Sequence, residues 1–436
     1  MKAIISRSVT SLLTSDALRD ARRLTAALTR RLRGGTALVH YFHQADDPYS
    51  HLAAQALAPL QERYQIALVP HLVPPPSAAA APDAAGLARW ARRDAALLAR
   101  RLGLDAPFGD AAPDSSLVAR ANAALATAIA RREFATAAPA VGDALWHGGG
   151  GAIGSRATAA GVADAALREG ESRRARLGHY LGATFWYGGE WYWGPDRLHY
   201  LEERLRGEGL AREPGTPPIA PVQDAELGGA ADPGRTAVLD FWCSLRSPYT
   251  YLAVPRVRRL AEHYGATLRV RLVLPMVMRG LPVPRVKRLY IVRDAKREAD
   301  RLGMAFGRIV DPVGLPAERG LAVLHHAIAA GKGMAFAGSF LQGVFADGVD
   351  AGTDRGLQRL AARAGLDAAF VARALADPSW RTVAEANRAE LAGLGLWGVP
   401  SFRVDDRPAQ WGQDRLWAVE EDLRGSGPPA TRPGAA

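Results

Sequence analysis

Ala237-Val238-Leu239-Asp240-Phe241-Trp242-Cys243-Ser244-Leu245-Arg246-Ser247-Pro248-Tyr249-Thr250-Tyr251-Leu252-Ala253 holds the transition on which the fold turns. Its first part, Ala237–Trp242, is a β-rich apolar run. A short loop holding a proline follows, and the chain then reads as a helix over Tyr249–Tyr264 and a second strand over Thr267–Leu274. A long helical section occupies about 284–394. The turn Gly398-Val399-Pro400-Ser401-Phe402 leads into a strand at Ser401–Val404, and the last helix begins near Gln413. Strand–helix–strand, a helical insertion, then a β-hairpin and a helix is an α/β pattern.

The same stretch recurs upstream. Residues 37–76 lie over 237–276 at an offset of 200 without a gap. Pro48-Tyr49 falls on Pro248-Tyr249, Leu52-Ala53 on Leu252-Ala253, and Leu72, Val73 and Pro75 on Leu272, Val273 and Pro275. The offset continues to Arg93-Asp94 over Arg293-Asp294 and Arg101-Leu102-Gly103 over Arg301-Leu302-Gly303. Farther on, Trp193-Gly194-Pro195-Asp196-Arg197-Leu198 mirrors Trp411-Gly412-Gln413-Asp414-Arg415-Leu416. Two repeats this long are expected to be two domains rather than solenoid units. The expected boundaries are an N-terminal amphipathic helical segment at 1–35, a degenerate first repeat at 36–206, a Gly/Pro-rich linker at 207–235, a second repeat at 236–425 and a disordered tail at 426–436.

The chain has 436 residues, 48% of them apolar and 23% charged, with a net charge of +11. Such a basic balance can serve nucleic acid or an anionic membrane. Here the arginines are scattered along Ala-rich helical stretches, without a zinc-ligand set or a long basic block, so no nucleic-acid partner is expected. No apolar run is long enough for a membrane span. Arginines and apolar residues alternate over the first 33 residues at roughly helical spacing. No apolar core follows the charges, which argues against a secretory signal, and Asp16 and Asp20 argue against a transit peptide. The segment is expected to dock as a helix or to lie on a surface. The single cysteine, Cys243, excludes an intramolecular disulfide and a CxxC redox pair, and suits a reducing, cytoplasmic location. It reads as a buried small hydrophobe. His40, His43 and His51 form no defined ligand set, and no metal site is expected.

Four segments carry a family resemblance: Asp240-Phe241-Trp242 through Ser247-Pro248-Tyr249-Thr250-Tyr251-Leu252-Ala253; Lys287, Tyr290 and Asp294; Trp397-Gly398-Val399-Pro400-Ser401-Phe402; and Trp411-Gly412-Gln413-Asp414-Arg415-Leu416. In this order they resemble the DsbA-like branch of the thioredoxin fold, most nearly 2-hydroxychromene-2-carboxylate isomerases and kappa-class glutathione transferases. The resemblance implies two thioredoxin-like domains, each with a helical insertion, and glutathione as the cofactor of the second. The two repeats would pack as a pseudo-dimer, a fused version of a homodimer.

Ser247 sits between a strand and a helix, where free N–H groups and the helix dipole favour an anion. Serine cannot do redox chemistry, but it can donate a hydrogen bond to a thiolate. It is also a favoured N-cap. The resemblance makes Ser247 the catalytic residue and glutathione the thiol. It implies a cis-proline at Pro400, with the Val399 backbone pairing with the cysteinyl part of glutathione. Lys287 would meet a carboxylate of glutathione or substrate, Gln413 and Asp414 would hold the γ-glutamyl end, and Asp294 falls on another matching position. Met278-Arg279-Gly280 departs from the Gly-Asn loop of those families, and Thr250 from their usual serine. In the first repeat Asp47, Leu87 and Ala183 replace Ser247, Lys287 and Pro400, so that copy is expected to be catalytically silent, with a trans bond before Ala183. The expected function is a glutathione-dependent isomerase or transferase acting on an electrophilic aromatic or unsaturated small molecule. The alternative is a non-catalytic DsbA-like binding protein with both sites degenerate.

Overall fold

The structure, a computed structural model, describes residues 2–149, 151, 153, 160–229 and 236–425. The tail expected at 426–436 and part of the linker, 230–235, lie outside the described residues. The chain forms two compact units. The N-terminal unit comprises Ala17–Val222 and Pro284–Tyr290; the C-terminal unit comprises Met1–Asp16, Gln223–Val283 and Ile291–Ala436.

In the N-terminal unit, β1 (Ala37–His43), β2 (Ile66–Leu72), β3 (Thr184–Tyr187) and β4 (Glu190–Trp193) form a four-stranded sheet of order β2-β1-β3-β4. In the C-terminal unit, β5 (Val238–Cys243), β6 (Thr267–Leu272), β7 (Ser401–Val404) and β8 (Gln410–Trp411) form a sheet of order β6-β5-β7-β8. In both, the first two strands are parallel and the others antiparallel. Leu38 opposes Ala67, and Val238 opposes Thr267, so pairs 200 residues apart share one register. The parallel pair requires a crossover, which helix Pro248–His263 supplies in the C-terminal unit. The corresponding crossover of the N-terminal unit is broken at Ala56 into helices Pro48–Gln55 and Leu57–Arg63. The second strand of the C-terminal unit stops at Leu272, two residues before the expected Leu274.

β5 is the middle of its sheet and is buried on both faces, which is why it reads as an apolar run rather than an alternation. Leu239, Phe241 and Cys243 enter the main core with Leu252, Val257, Phe340 and Phe402. Phe241 stacks on Phe402 across the sheet at 5.4 Å. The opposite face carries Asp240 and Trp242. Asp240 is 1% exposed and accepts hydrogen bonds from Arg269 Nε at 2.9 Å and Arg271 Nε at 2.8 Å on the neighbouring strand. Trp242 donates Nε1–H to the Asn387 carbonyl at 3.0 Å, and Asn387 Nδ2 donates to the Leu272 carbonyl at 3.0 Å. One buried asparagine thus ties helix Trp380–Gly393 to β5 and β6.

Residues 2–32 hold two helices, Lys2–Leu13 and Asp16–Leu32. Thr10 Oγ1 accepts from the Ile309 amide at 3.1 Å in the C-terminal unit. Arg23 and Arg30 pair with Glu190 and Glu208 in the N-terminal unit at 2.5 and 2.6 Å. Among the described residues no helix is long and apolar enough to cross a membrane.

Asn387→Ala removes the donor to the Leu272 carbonyl and is expected to destabilise the C-terminal unit by about 1–3 kcal/mol. Calorimetric melting checks this as a lowered transition temperature.

Candidate active site

Ser247 is the N-cap of helix Pro248–His263, half-buried, with its Oγ accepting from the Thr250 amide at 3.1 Å. The same hydroxyl donates to the Val399 carbonyl at 3.2 Å. Pro248 at the first helical turn has no N–H to satisfy, which suits that position. Ser247 therefore joins the start of the helix to the loop before β7, and the peptide Val399–Pro400 in that loop is cis.

The loop is held by all four of its successive carbonyls. The Trp397 carbonyl accepts from Arg279 Nη2 at 2.7 Å, Gly398 from Ser401 Oγ at 2.9 Å, Val399 from Ser247, and Pro400 from the Gly412 amide at 2.9 Å. The Trp397 and Trp411 rings meet edge to face at 4.9 Å. A Cβ on Gly398 would lie 2.0 Å from the Trp411 ring, so only glycine fits there. Arg279, in the short turn Met276–Arg279, occupies the position where the sequence departs from the resembled families. Sequence reasoning saw there only a departure from the Gly-Asn loop of those families. It missed that the guanidinium fixes the proline loop, because residues 279 and 397 share no local pattern.

The other expected site residues are placed as follows. Asp294 is buried and accepts from Tyr249 Oη at 2.8 Å. The N-terminal unit repeats this pair as Tyr49 and Asp94. Gln413 is buried, donates to Glu298 Oε2 at 3.0 Å and to Asp414, and accepts from Arg256. Arg256 also reaches Asp224 at 2.6 Å, and Arg301 bridges Asp224 and Glu298. Gln413 and Asp414 thus belong to an ionic network at the start of the last helical segment, in which Asp414, like Asp224 and Arg301, is half-buried. Lys287 belongs to the N-terminal unit, where its ammonium donates to the Ala80 carbonyl at 2.9 Å. Burial lowers its pKa. The structure therefore brings Ser247, Val399 and Pro400 together, sets Gln413 and Asp414 in one network, and commits the Lys287 ammonium to Ala80.

The corresponding place in the N-terminal unit is filled differently. Asp47 caps its helix by accepting from the Tyr49 and Ser50 amides at 3.2 and 3.1 Å and from Ser50 Oγ at 2.9 Å. Ser50 Oγ in turn accepts from the Ala183 amide at 2.9 Å. Ala183 takes φ of +52°, which costs a residue with a Cβ about 1 kcal/mol. Its preceding peptide is trans, as expected. In the C-terminal unit Pro400 has no N–H to offer, and the buried hydroxyl of Thr250, three residues after the cap like Ser50, makes no hydrogen bond. His40 meets His71 at 2.9 Å, His43 meets Tyr41 Oη at 3.2 Å and His51 lies 3.4 Å from Asp143.

Cys243 is fully buried at the end of β5, and burial pushes its thiol up to about 12. It should react with a disulfide reagent only after denaturation. Thiol titration should find none in the folded chain and one in guanidinium chloride. Burial raises the Asp47 carboxyl from 3.8 to about 6. The folded chain then holds this proton up to about pH 6, whereas the unfolded chain releases it near 3.8, so the group opposes folding increasingly as pH rises through that window. Asp47→Asn keeps a capping oxygen. It is expected to raise the melting temperature relative to wild type at pH 7.5, with the gain vanishing toward pH 3.5.

Residues 238–424 match the DSBA-like thioredoxin domain family. Among solved structures, a 2-hydroxychromene-2-carboxylate isomerase is 22% identical over 43% of this chain and 94% of its own, with a TM-score of 0.37. A probable DsbA oxidoreductase from Streptomyces coelicolor is 22% identical over 46% of this chain and 94% of its own, at a TM-score of 0.36. The cytosolic disulfide reductase DsbM from Pseudomonas aeruginosa, in a structure with GSH, is 20% identical over 43% and 96%, at 0.35. No curated protein matches the chain. The C-terminal sheet, its crossover helix and the proline loop thus fall within the stretch that matches this family, and the C-terminal region has a DsbA-like thioredoxin fold.

Proposed function

We propose that this chain is a glutathione-dependent isomerase or transferase for an electrophilic aromatic or unsaturated small molecule, with Ser247 stabilising the glutathione thiolate. The observation that carries the reading is the Ser247 hydroxyl. It stands at a helix N-terminus beside the cis Val399–Pro400 peptide, and its proton points to the Val399 carbonyl. A hydroxyl has one donor and two acceptor sites. Turning its proton from Val399 to a thiolate leaves the bond from the Thr250 amide intact, so the cap and the catalytic role are compatible. Glutathione itself enters through the resemblance of the four segments. With a single buried thiol, a dithiol exchange cycle has no second cysteine to use. The reading places the protein in a reducing compartment, the cytoplasm.

In this reading the thiolate adds to an electron-poor carbon of the substrate. Release of glutathione after rearrangement gives isomerisation, and its retention gives a conjugate. The chain orients the thiolate and holds its charge; Val399 offers backbone pairing to the cysteinyl part, and Asp414 an acidic group to the γ-glutamyl ammonium. A second reading, a binding protein without thiol chemistry, is favoured by the engagement of Lys287 with Ala80 and of Gln413 with its network.

Ser247→Ala separates the two. A hydrogen bond to a charged acceptor contributes about 1.5–3 kcal/mol, so the thiol pKa of bound glutathione should rise by about one to two units in the variant. Thiolate absorbance of the complex followed against pH checks this. Superimposable titrations, or no bound thiolate in the wild type, would support the second reading.

A further inference from the structure

Helix Leu315–Ala329 packs against helix Ala368–Ala376 in the insertion of the C-terminal unit. The C-terminal half of the first carries His325 and His326, and the second is capped by Asp377, followed by Pro378 and Ser379. Neighbouring residues on a helix project about 100° apart. Two adjacent histidines can therefore address one point only where another segment closes the angle between them, which the turn Asp377–Ser379 does.

The donor atoms form a chain. His325 Nε2 lies 3.2 Å from Ser379 Oγ, Ser379 Oγ lies 2.8 Å from Asp377 Oδ2, and Asp377 Oδ2 lies 3.0 Å from His326 Nε2. The ligand atoms of His325, His326 and Asp377 all fall within 4.8 Å of one another. Zinc–nitrogen and zinc–oxygen bonds of about 2.0–2.1 Å in a tetrahedron set ligand–ligand edges near 3.3 Å, so small side-chain rotations bring these atoms onto one ion. His326 Nε2 is shielded from solvent and faces Asp377 Oδ2 alone at 3.0 Å. Two donor atoms this close can also face a common third centre. The other carboxylate oxygen, Asp377 Oδ1, accepts from the Ser379 amide at 2.8 Å, which fixes the carboxylate plane.

We infer that His325, His326 and Asp377 form a divalent transition-metal site, best suited to zinc, with a fourth position open to Ser379 or water. Imidazole and carboxylate donors select zinc over magnesium and calcium, which take oxygen ligands. The histidines and the aspartate are partly exposed, so an ion has access from solvent. The site stands apart from the Ser247 chemistry and depends on none of it. The sequence alone concealed it, because its acidic member lies about fifty residues from the histidines and no ligand spacing announces the set.

The test uses the tag-free full chain, stripped with a chelator and titrated with zinc chloride by calorimetry. One equivalent should bind, and zinc-edge absorption should show nitrogen and oxygen scatterers with imidazole outer shells. Asp377→Asn keeps an oxygen for the Ser379 amide and should weaken binding at least about tenfold. The double variant His325→Ala/His326→Ala should abolish it, with melting curves confirming that both variants fold. His40→Ala should bind as wild type does. Failure to bind an equivalent of zinc, or binding that survives the double histidine variant, would overturn the assignment.

Discussion

Four consecutive peptide carbonyls, Trp397 to Pro400, each receive a hydrogen bond from a different part of the C-terminal unit. Arg279 comes from the turn after β6, Ser247 from the start of the helix after β5, Gly412 from the residue that follows β8, and Ser401 from β7 itself. The loop is thereby fixed relative to both central strands and to the crossover helix at once. An unpaired buried carbonyl costs about 1–3 kcal/mol, so moving any one of these segments leaves the carbonyl that it serves unsatisfied. The position of Ser247 next to the cis peptide follows from this closure rather than from the serine alone. The close approach of Trp411 to Gly398 seals the loop from the side of β8.

The two sheets have one strand order and one register, yet the same corner is closed by opposite chemistry. Where the C-terminal unit has a proline without an N–H, the N-terminal unit has Ala183 with one, and Ser50 accepts it. Where the C-terminal unit caps with a neutral hydroxyl, the N-terminal unit caps with the Asp47 carboxylate. Gly182 approaches Asp47 and Ser50 so closely that an added Cβ would lie 3.1 Å from Ser50 Oγ and 3.3 Å from Asp47 Oδ2. A negative group enclosed in this way opposes a thiolate. The residue exchange at 47 and 183 thus changes the acceptor of the cap bond and adds the Ala183 amide to Ser50, while the bond from Gly194 to the Ala183 carbonyl repeats that from Gly412 to Pro400 and the sheet is unchanged.

Much of the frame was legible along the chain. The apolar run at 238–243, the Ser-Pro entry to a helix, the matching offset upstream and the Gly-Val-Pro-Ser turn each report a local requirement: a strand buried on both faces, an N-cap, a shared register and a backbone without an N–H. The supports of the site were not legible. Asp224, Arg256, Glu298, Arg301 and Gln413 lie on four separated segments, and each alone reads as an ordinary helix or linker residue. Lys287 showed the reverse: its position in the motif implied a glutathione contact, but the packing of Pro284–Tyr290 directs its ammonium to Ala80.

The sequence by itself determined the strand and helix order, the serine at the head of the crossover helix, and the exclusion of a two-cysteine redox cycle. These depend on interactions within a few residues or on simple counts. The tertiary structure decided which polar groups have charge or protons to spare. Ser247 keeps a turnable proton, Lys287 gives one donor to Ala80, Gln413 is engaged in its network, and Asp377 lies near two histidines. Hydrogen bonds and ion pairs act over about 3 Å, and only folding determines which distant residues come that near.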